Sequence, residues 1–106
     1  MTNAIVIFTT CASEEEALRI ANALVQERLA GCVNIISPVR SIYRWKGEVC
    51  DELEWLLMIK TGRERFEEVQ QKVKSLHSYS VPELICLQIP EGSLDYLDWL
   101  EEMTRK

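Results

Sequence analysis

The chain holds a single histidine, His77, so no multi-histidine metal site can be assembled within one copy. Its four cysteines, Cys11, Cys32, Cys50 and Cys86, include no C-x-x-C pair, which removes zinc-ribbon spacing. They read as reduced, mostly structural thiols of a cytoplasmic protein. No apolar run approaches the roughly 20 residues of a membrane-spanning helix. The opening Met1-Thr2-Asn3-Ala4 lacks the positive segment of a signal peptide. A basic excess is also missing: 12 Lys and Arg face 17 Asp and Glu, a formal charge of −5. That argues against nucleic acid or an anionic membrane as a partner. An acidic surface permits cation binding, and equally it serves solubility. Repeats, low-complexity tracts and linkers are absent, so one domain is expected over residues 1–106.

What is present is a clear alternation of elements. Ala4-Ile5-Val6-Ile7-Phe8 is a continuous β-branched run, expected to form a strand buried on both faces, with Thr9 to Ala12 as a turn. Ser13-Glu14-Glu15-Glu16 forms a capping box, and three acids suit the positive end of a helix dipole. Leu18, Ala21, Val25 and Leu29 follow at helical spacing, and Gly31 offers a left-handed stop, so a helix is expected from about Ser13 to Ala30. Two long β-forming runs, Cys32 to Trp45 and Glu48 to Lys60, meet at Trp45-Lys46-Gly47-Glu48, with Pro38 marking a bulge or edge. Thr61-Gly62-Arg63-Glu64 resembles a second capping box, leading into Phe66, Val69, Val73 and Leu76 on one helix face. A fourth strand is expected over 84–89, and Ser93 caps a terminal helix carrying Tyr96, Leu97, Leu100 and Met103.

The order β-α-β-β-α-β plus a helix predicts an α+β, ferredoxin-like split βαβ fold: a four-stranded antiparallel sheet with two helices on one face. The middle hairpin is ordinarily short in this fold. At about 3.3 Å per residue its arms would reach roughly 40 Å, against a radius of gyration near 13 Å for about 100 residues. The hairpin should overhang its own domain, and another copy of the chain is the simplest cover.

Candidate chemistry is sparse. His77, Tyr79 and Glu83 place an imidazole, a phenol and a carboxylate around one loop, either as a catalytic or metal cluster or as a histidine capping a helix end. Cys11 is either a thiolate activated by the first helix dipole or a small turn residue. Lys60-Thr61-Gly62-Arg63 could hold an anion or simply cap a helix. Tyr43, Trp45 and Trp55 suit subunit contacts better than base stacking in so acidic a chain. Glu48, Asp51, Glu52 and Glu54 read as a solvated strand face, with a hard-cation site as the alternative. No complete catalytic set emerges, so an enzyme is not expected. An acylphosphatase-like hydrolase of this fold would need an arginine-bearing loop after the first strand, where this chain has Thr9-Thr10-Cys11-Ala12.

At five ordered segments the chain resembles the CutA family, named for divalent-cation tolerance. They are Thr9-Thr10 before the acidic helix start, Ala30-Gly31-Cys32-Val33-Asn34-Ile35-Ile36, Ser41-Ile42-Tyr43-Arg44-Trp45-Lys46-Gly47, Leu57-Met58-Ile59-Lys60-Thr61, and His77-Ser78-Tyr79-Ser80-Val81-Pro82-Glu83. The resemblance implies a ferredoxin-like homotrimer, akin in architecture to PII signalling proteins, whose hairpins pack on neighbouring subunits. It implies a metal or small ligand in intersubunit clefts without turnover; the alternative is a scaffold or PII-like signalling trimer with a protein partner. Copper is attributed to some members, through a cysteine near the end of the first strand and adjacent histidines before the P-Y segment. Here those positions fall at about Thr9, at Leu76 and at His77, so one ligand of three carries over, with Cys11 two residues from the first. Ser78 stands where the family usually has proline. The metal residues implied for Cu²⁺ or another divalent cation are His77, Cys11 and Glu83; Lys60 and Tyr79 would contact a ligand, and Tyr43, Trp45 and Trp55 the neighbouring subunits.

Overall fold

The structure, a computed structural model, describes residues 2–105; Met1, which opens the segment read above for a signal peptide, and Lys106 lie outside them. Four strands, β1 (Ala4–Cys11), β2 (Cys32–Trp45), β3 (Glu48–Gly62) and β4 (Ile85–Gln88), form one sheet in the order β2-β3-β1-β4. Every neighbouring pair is antiparallel. Helices α1 (Glu14–Gln26) and α2 (Phe66–Leu76) are the crossovers, and α3 (Leu94–Met103) follows β4. This is the split βαβ arrangement expected from the element order.

The sheet's two faces differ in cover. Ile5 and Ile7 of β1 and Leu57 and Ile59 of β3 join Ile20 and Leu24 of α1 and Val69 and Val73 of α2 in a core from which water is excluded. Side chains alternate along a strand, so the intervening residues face away from those helices. Val6, Phe8, Met58, Ile36, Ile85 and Leu87 share that outer face through the registers Val6↔Leu87, Phe8↔Met58, Phe8↔Ile85 and Ile36↔Leu56. Ile36, Ile85 and Leu87 are exposed there.

The β2–β3 hairpin stretches the molecule to 44 × 25 × 22 Å. Lys46 and Gly47 both take positive φ, 50° and 82°, the geometry of a two-residue turn matched to strand twist. Pro38 sits on the sheet edge, where the register slips between Ile36 and Val39 and the Ser37–Pro38 peptide is cis.

Several local expectations need correction. β1 does not stop at Phe8; it pairs through Cys11↔Trp55, so Thr9 to Cys11 are strand, not turn. α1 ends at Gln26, and Arg28, not Gly31, adopts the left-handed conformation, with φ 59°. Gly31 instead admits the Leu100 side chain, whose Cδ1 would lie 2.6 Å from an added Cβ. The Thr61–Glu64 capping box does not form: β3 continues to Gly62, Thr61 Oγ1 donates to Leu29 O at 2.7 Å, and Glu64 accepts from Asn3. β4 is trimmed to Ile85–Gln88.

Candidate functional site

The extension of β1 carries Cys11 onto the helix-facing side of the sheet, fully buried. Ser13 caps α1 as its sequence requires, accepting from Glu16 N at 3.2 Å. Glu16 does not reach back to complete the box. Its Oε2 accepts the Ser78 N–H at 2.8 Å, which ties α1 to the loop after α2. His77, at the C-cap of α2, has a fully enclosed side chain. Its Nε2 lies 2.7 Å from the Thr10 carbonyl and its Nδ1 accepts the Tyr79 N–H at 3.1 Å, which makes Nε2 the protonated nitrogen of a neutral ring.

Three metal-type donors converge here: the Cys11 thiol, a Glu16 carboxylate oxygen and a His77 nitrogen lie within 4.8 Å of one another. Glu16 Oε1 is buried without a geometric hydrogen-bond partner among the described residues, and His77 Nδ1 stands 3.9 Å from it. Burial, reinforced by the Glu16 and Glu54 carboxylates, pushes the Cys11 thiol up from 9.0 to about 12. A thiolate favoured by the helix dipole is therefore the wrong picture: loss of water and two nearby negative charges outweigh it. Burial also pushes the Glu16 carboxyl up, but the hydrogen bonds it accepts from Ser78 leave it below the ordinary carboxylate value.

Beside this cluster a cleft of ≈ 550 Å³ runs from Thr10 out along the hairpin, lined by Tyr43, Trp45, Glu54, Tyr79 and Glu83 among others. Glu54 corrects the picture of a solvated strand face, for it is only 5% exposed. Its Oε2 accepts the Tyr79 hydroxyl at 2.7 Å. Burial, then the Glu54 charge, holds the Glu83 carboxyl above its usual range. The Tyr79 phenol is pushed up by burial and by its bond to Glu54, and the Tyr43 phenol by its bond to Glu52.

The residues expected to act together are thus divided. Cys11 and His77 meet, with Glu16 as the third donor; nothing in the spacing singled out Glu16 beyond its capping position. Glu83 and Tyr79 belong to the cleft. Tyr43 and Trp45 line that cleft from the hairpin, whereas Trp55 packs against its own core. Lys60 stands at the other end of β3, five residues or roughly 17 Å from Trp55, with its Nζ 5.9 Å from the Tyr96 ring centroid. The Arg63 N–H donates to Asn3 O rather than facing an open anion site.

A split βαβ sheet, an overhanging β2–β3 hairpin and donors gathered where β1 ends define a ferredoxin-like α+β protein of the extended-hairpin kind. The family model described as "CutA1 divalent ion tolerance protein" matches residues 5–103, and the chain belongs to the CutA family. It is 52% identical over 99 residues to the divalent-cation tolerance protein CutA of Thermus thermophilus, covering 93% of this chain and 96% of that one. It is 42% identical over 97 residues to human protein CutA, covering 92% of this chain and 54% of the human one. The chain thus spans nearly all of the bacterial relative and about half of the human one. The solved Thermus thermophilus structure superposes with a TM-score of 0.93 at 51% identity, covering 96% of this chain and 99% of that one. CutA1 of Oryza sativa gives 0.94 at 41% identity, covering 97% and 94%.

Proposed function

We propose that this protein is a homotrimeric, non-enzymatic divalent-cation binder serving metal tolerance in the cytoplasm, with Cu²⁺ as the leading candidate. The observation that carries the cation reading is the Cys11–Glu16–His77 cluster, in which a buried carboxylate oxygen lacks a hydrogen-bond partner among the described residues. Sulfur, imidazole and carboxylate donors suit a borderline or soft cation such as Cu or Zn. A bound cation would supply the positive charge that Glu16 Oε1 lacks. Cys11 would give up its proton, and His77 Nδ1 would have to leave the Tyr79 N–H. Three donors from one chain leave room for a further ligand.

The trimer is supported by the apolar outer face of the sheet, on which Ile36, Ile85 and Leu87 stand exposed. Three such faces turned inward would cover one another. The cleft beside the hairpin would then border a neighbouring subunit, where Tyr43 and Trp45 serve as contacts. Kinship of fold with PII proteins leaves a signalling trimer with a protein partner as the second reading, favoured by the breadth of the cleft. The Archaeoglobus fulgidus relative is described as a periplasmic divalent cation tolerance protein, so cell fractionation tests the cytoplasmic assignment.

Isothermal titration with Cu²⁺ and Zn²⁺ is the decisive experiment. Saturable heat is expected, with affinity lowered about tenfold or more in His77→Ala and Glu16→Gln. Because the thiol must lose a proton, affinity should climb with pH, by up to about tenfold per unit at neutral pH. Absence of saturable heat, or heat unaffected by either substitution, refutes the metal site. A monomer mass by light scattering refutes the trimer.

A further inference from the structure

Glu54 is a buried acid that stands outside the metal cluster. It is 95% removed from solvent by its 5% exposure, yet its single hydrogen bond among the described residues comes from the neutral Tyr79 hydroxyl. No Lys, Arg or His ion-pairs with it among those residues, whereas Asp51 on the same strand holds Arg40 through two bonds of 2.8 and 2.7 Å. A buried carboxylate ordinarily has a cationic partner. Glu83, the second acid of the cleft, feels the Glu54 charge, and no basic residue lines the space among the described residues.

The rest of the cleft says what kind of cation fits. Its walls include Tyr43, Trp45 and Tyr79, and aromatic faces attract organic cations. The volume of ≈ 550 Å³ falls among small-molecule sites and exceeds what a single ion fills. Two carboxylates are too few oxygen ligands for a dedicated hard-cation cage, but they match the paired donors of a guanidinium.

We propose that the cleft bounded by Glu54, Glu83, Tyr43, Trp45 and Tyr79 is a receptor for a guanidinium or alkylammonium cation, with the Glu54 carboxylate as its anchor. The guanidinium lies against the aromatic wall and donates to Glu54, while Glu83 takes up remaining donors. Two sources offer this chemistry. One is a free small cation. The other is Arg44 of a second copy, since Arg44 is exposed at the hairpin end and pairs with nothing among the described residues. The proposal does not depend on the Cys11 cluster, so it survives failure of the metal reading.

The test is titration of the full chain with butylguanidinium at low salt, followed by Trp fluorescence and calorimetry, with butylurea as the uncharged shape-matched control. Saturable binding of butylguanidinium but not butylurea is expected. It should weaken about tenfold or more in Glu54→Gln and several-fold in Glu83→Gln, with circular dichroism confirming that both fold. The same titration is run on Arg44→Ala. Binding by wild type identifies a free-cation site. Binding by Arg44→Ala alone, with a lowered mass by light scattering, identifies the partner's arginine as the resident cation. No binding by either protein, equal binding of butylurea, or binding unchanged in both glutamine variants overturns the proposal.

Discussion

At Cys11 the surroundings, not the residue type, set the chemistry. Burial, with two carboxylates nearby, pushes the thiol up from 9.0 to about 12. A group whose folded pKa is raised favours folding while protonated. Its contribution is therefore complete below pH 9 and is lost as pH rises through 12. Urea unfolding between pH 7 and 10.5 should show stability falling above pH 9, by up to about 1.4 kcal/mol per pH unit from this thiol. Cys11→Ala should flatten that limb. Glu54 offers a second test at this scale. Tyr79→Phe removes its hydrogen bond and leaves a buried carboxylate unsatisfied, which should cost about 1–3 kcal/mol in the same assay. Neither environment was legible in the sequence. Cys11 reads there as a turn residue and Glu54 as one acid among several on a polar arm.

At the scale of elements, local signals were far more informative. The Ser13 and Ser93 caps form as their sequences suggest, accepting from Glu16 N and Tyr96 N. The Trp45-Lys46-Gly47-Glu48 turn closes the hairpin because Gly47 accepts a φ of 82° without steric cost. Gly47→Ala is expected to destabilise the hairpin by about 1–2 kcal/mol, measured by chemical unfolding. The second capping box failed because a competing partner won: Thr61 lies fully buried and gives its hydroxyl to the Leu29 carbonyl. The segment after it is held differently, through Arg65, whose Nε and Nη2 reach the Thr104 carbonyl at the end of α3 at 2.9 and 2.7 Å. A cation at a helix C-terminus complements its dipole. Arg65→Ala should cost about 1–3 kcal/mol and raise hydrogen exchange selectively in α3.

For the whole molecule the decisive feature is the difference between the sheet's faces. One is sealed by α1 and α2; the other presents Val6, Phe8, Met58, Ile85 and Leu87, with no such helix pair over them among the described residues. If copies assemble through that face, Leu87→Arg should shift the mass from trimer to monomer while the far-ultraviolet dichroism of the fold is retained. A variant that stays trimeric would point to the hairpin alone as the assembly element.

The sequence by itself determined the order of strands and helices, the length of the hairpin, its turn and two of the caps. Each of these depends on neighbours a few residues apart, through side-chain periodicity, turn conformation and hydrogen bonds across one helical turn. Only the tertiary structure decided which donors meet. His77 reaches the Thr10 carbonyl across 67 residues, Ser78 reaches Glu16 across 62, and Tyr79 reaches Glu54 across 25. Those contacts follow from strand register and from how far β1 extends. The same register buries Cys11 and Glu54, so burial and charge, which set their chemistry, were settled by packing.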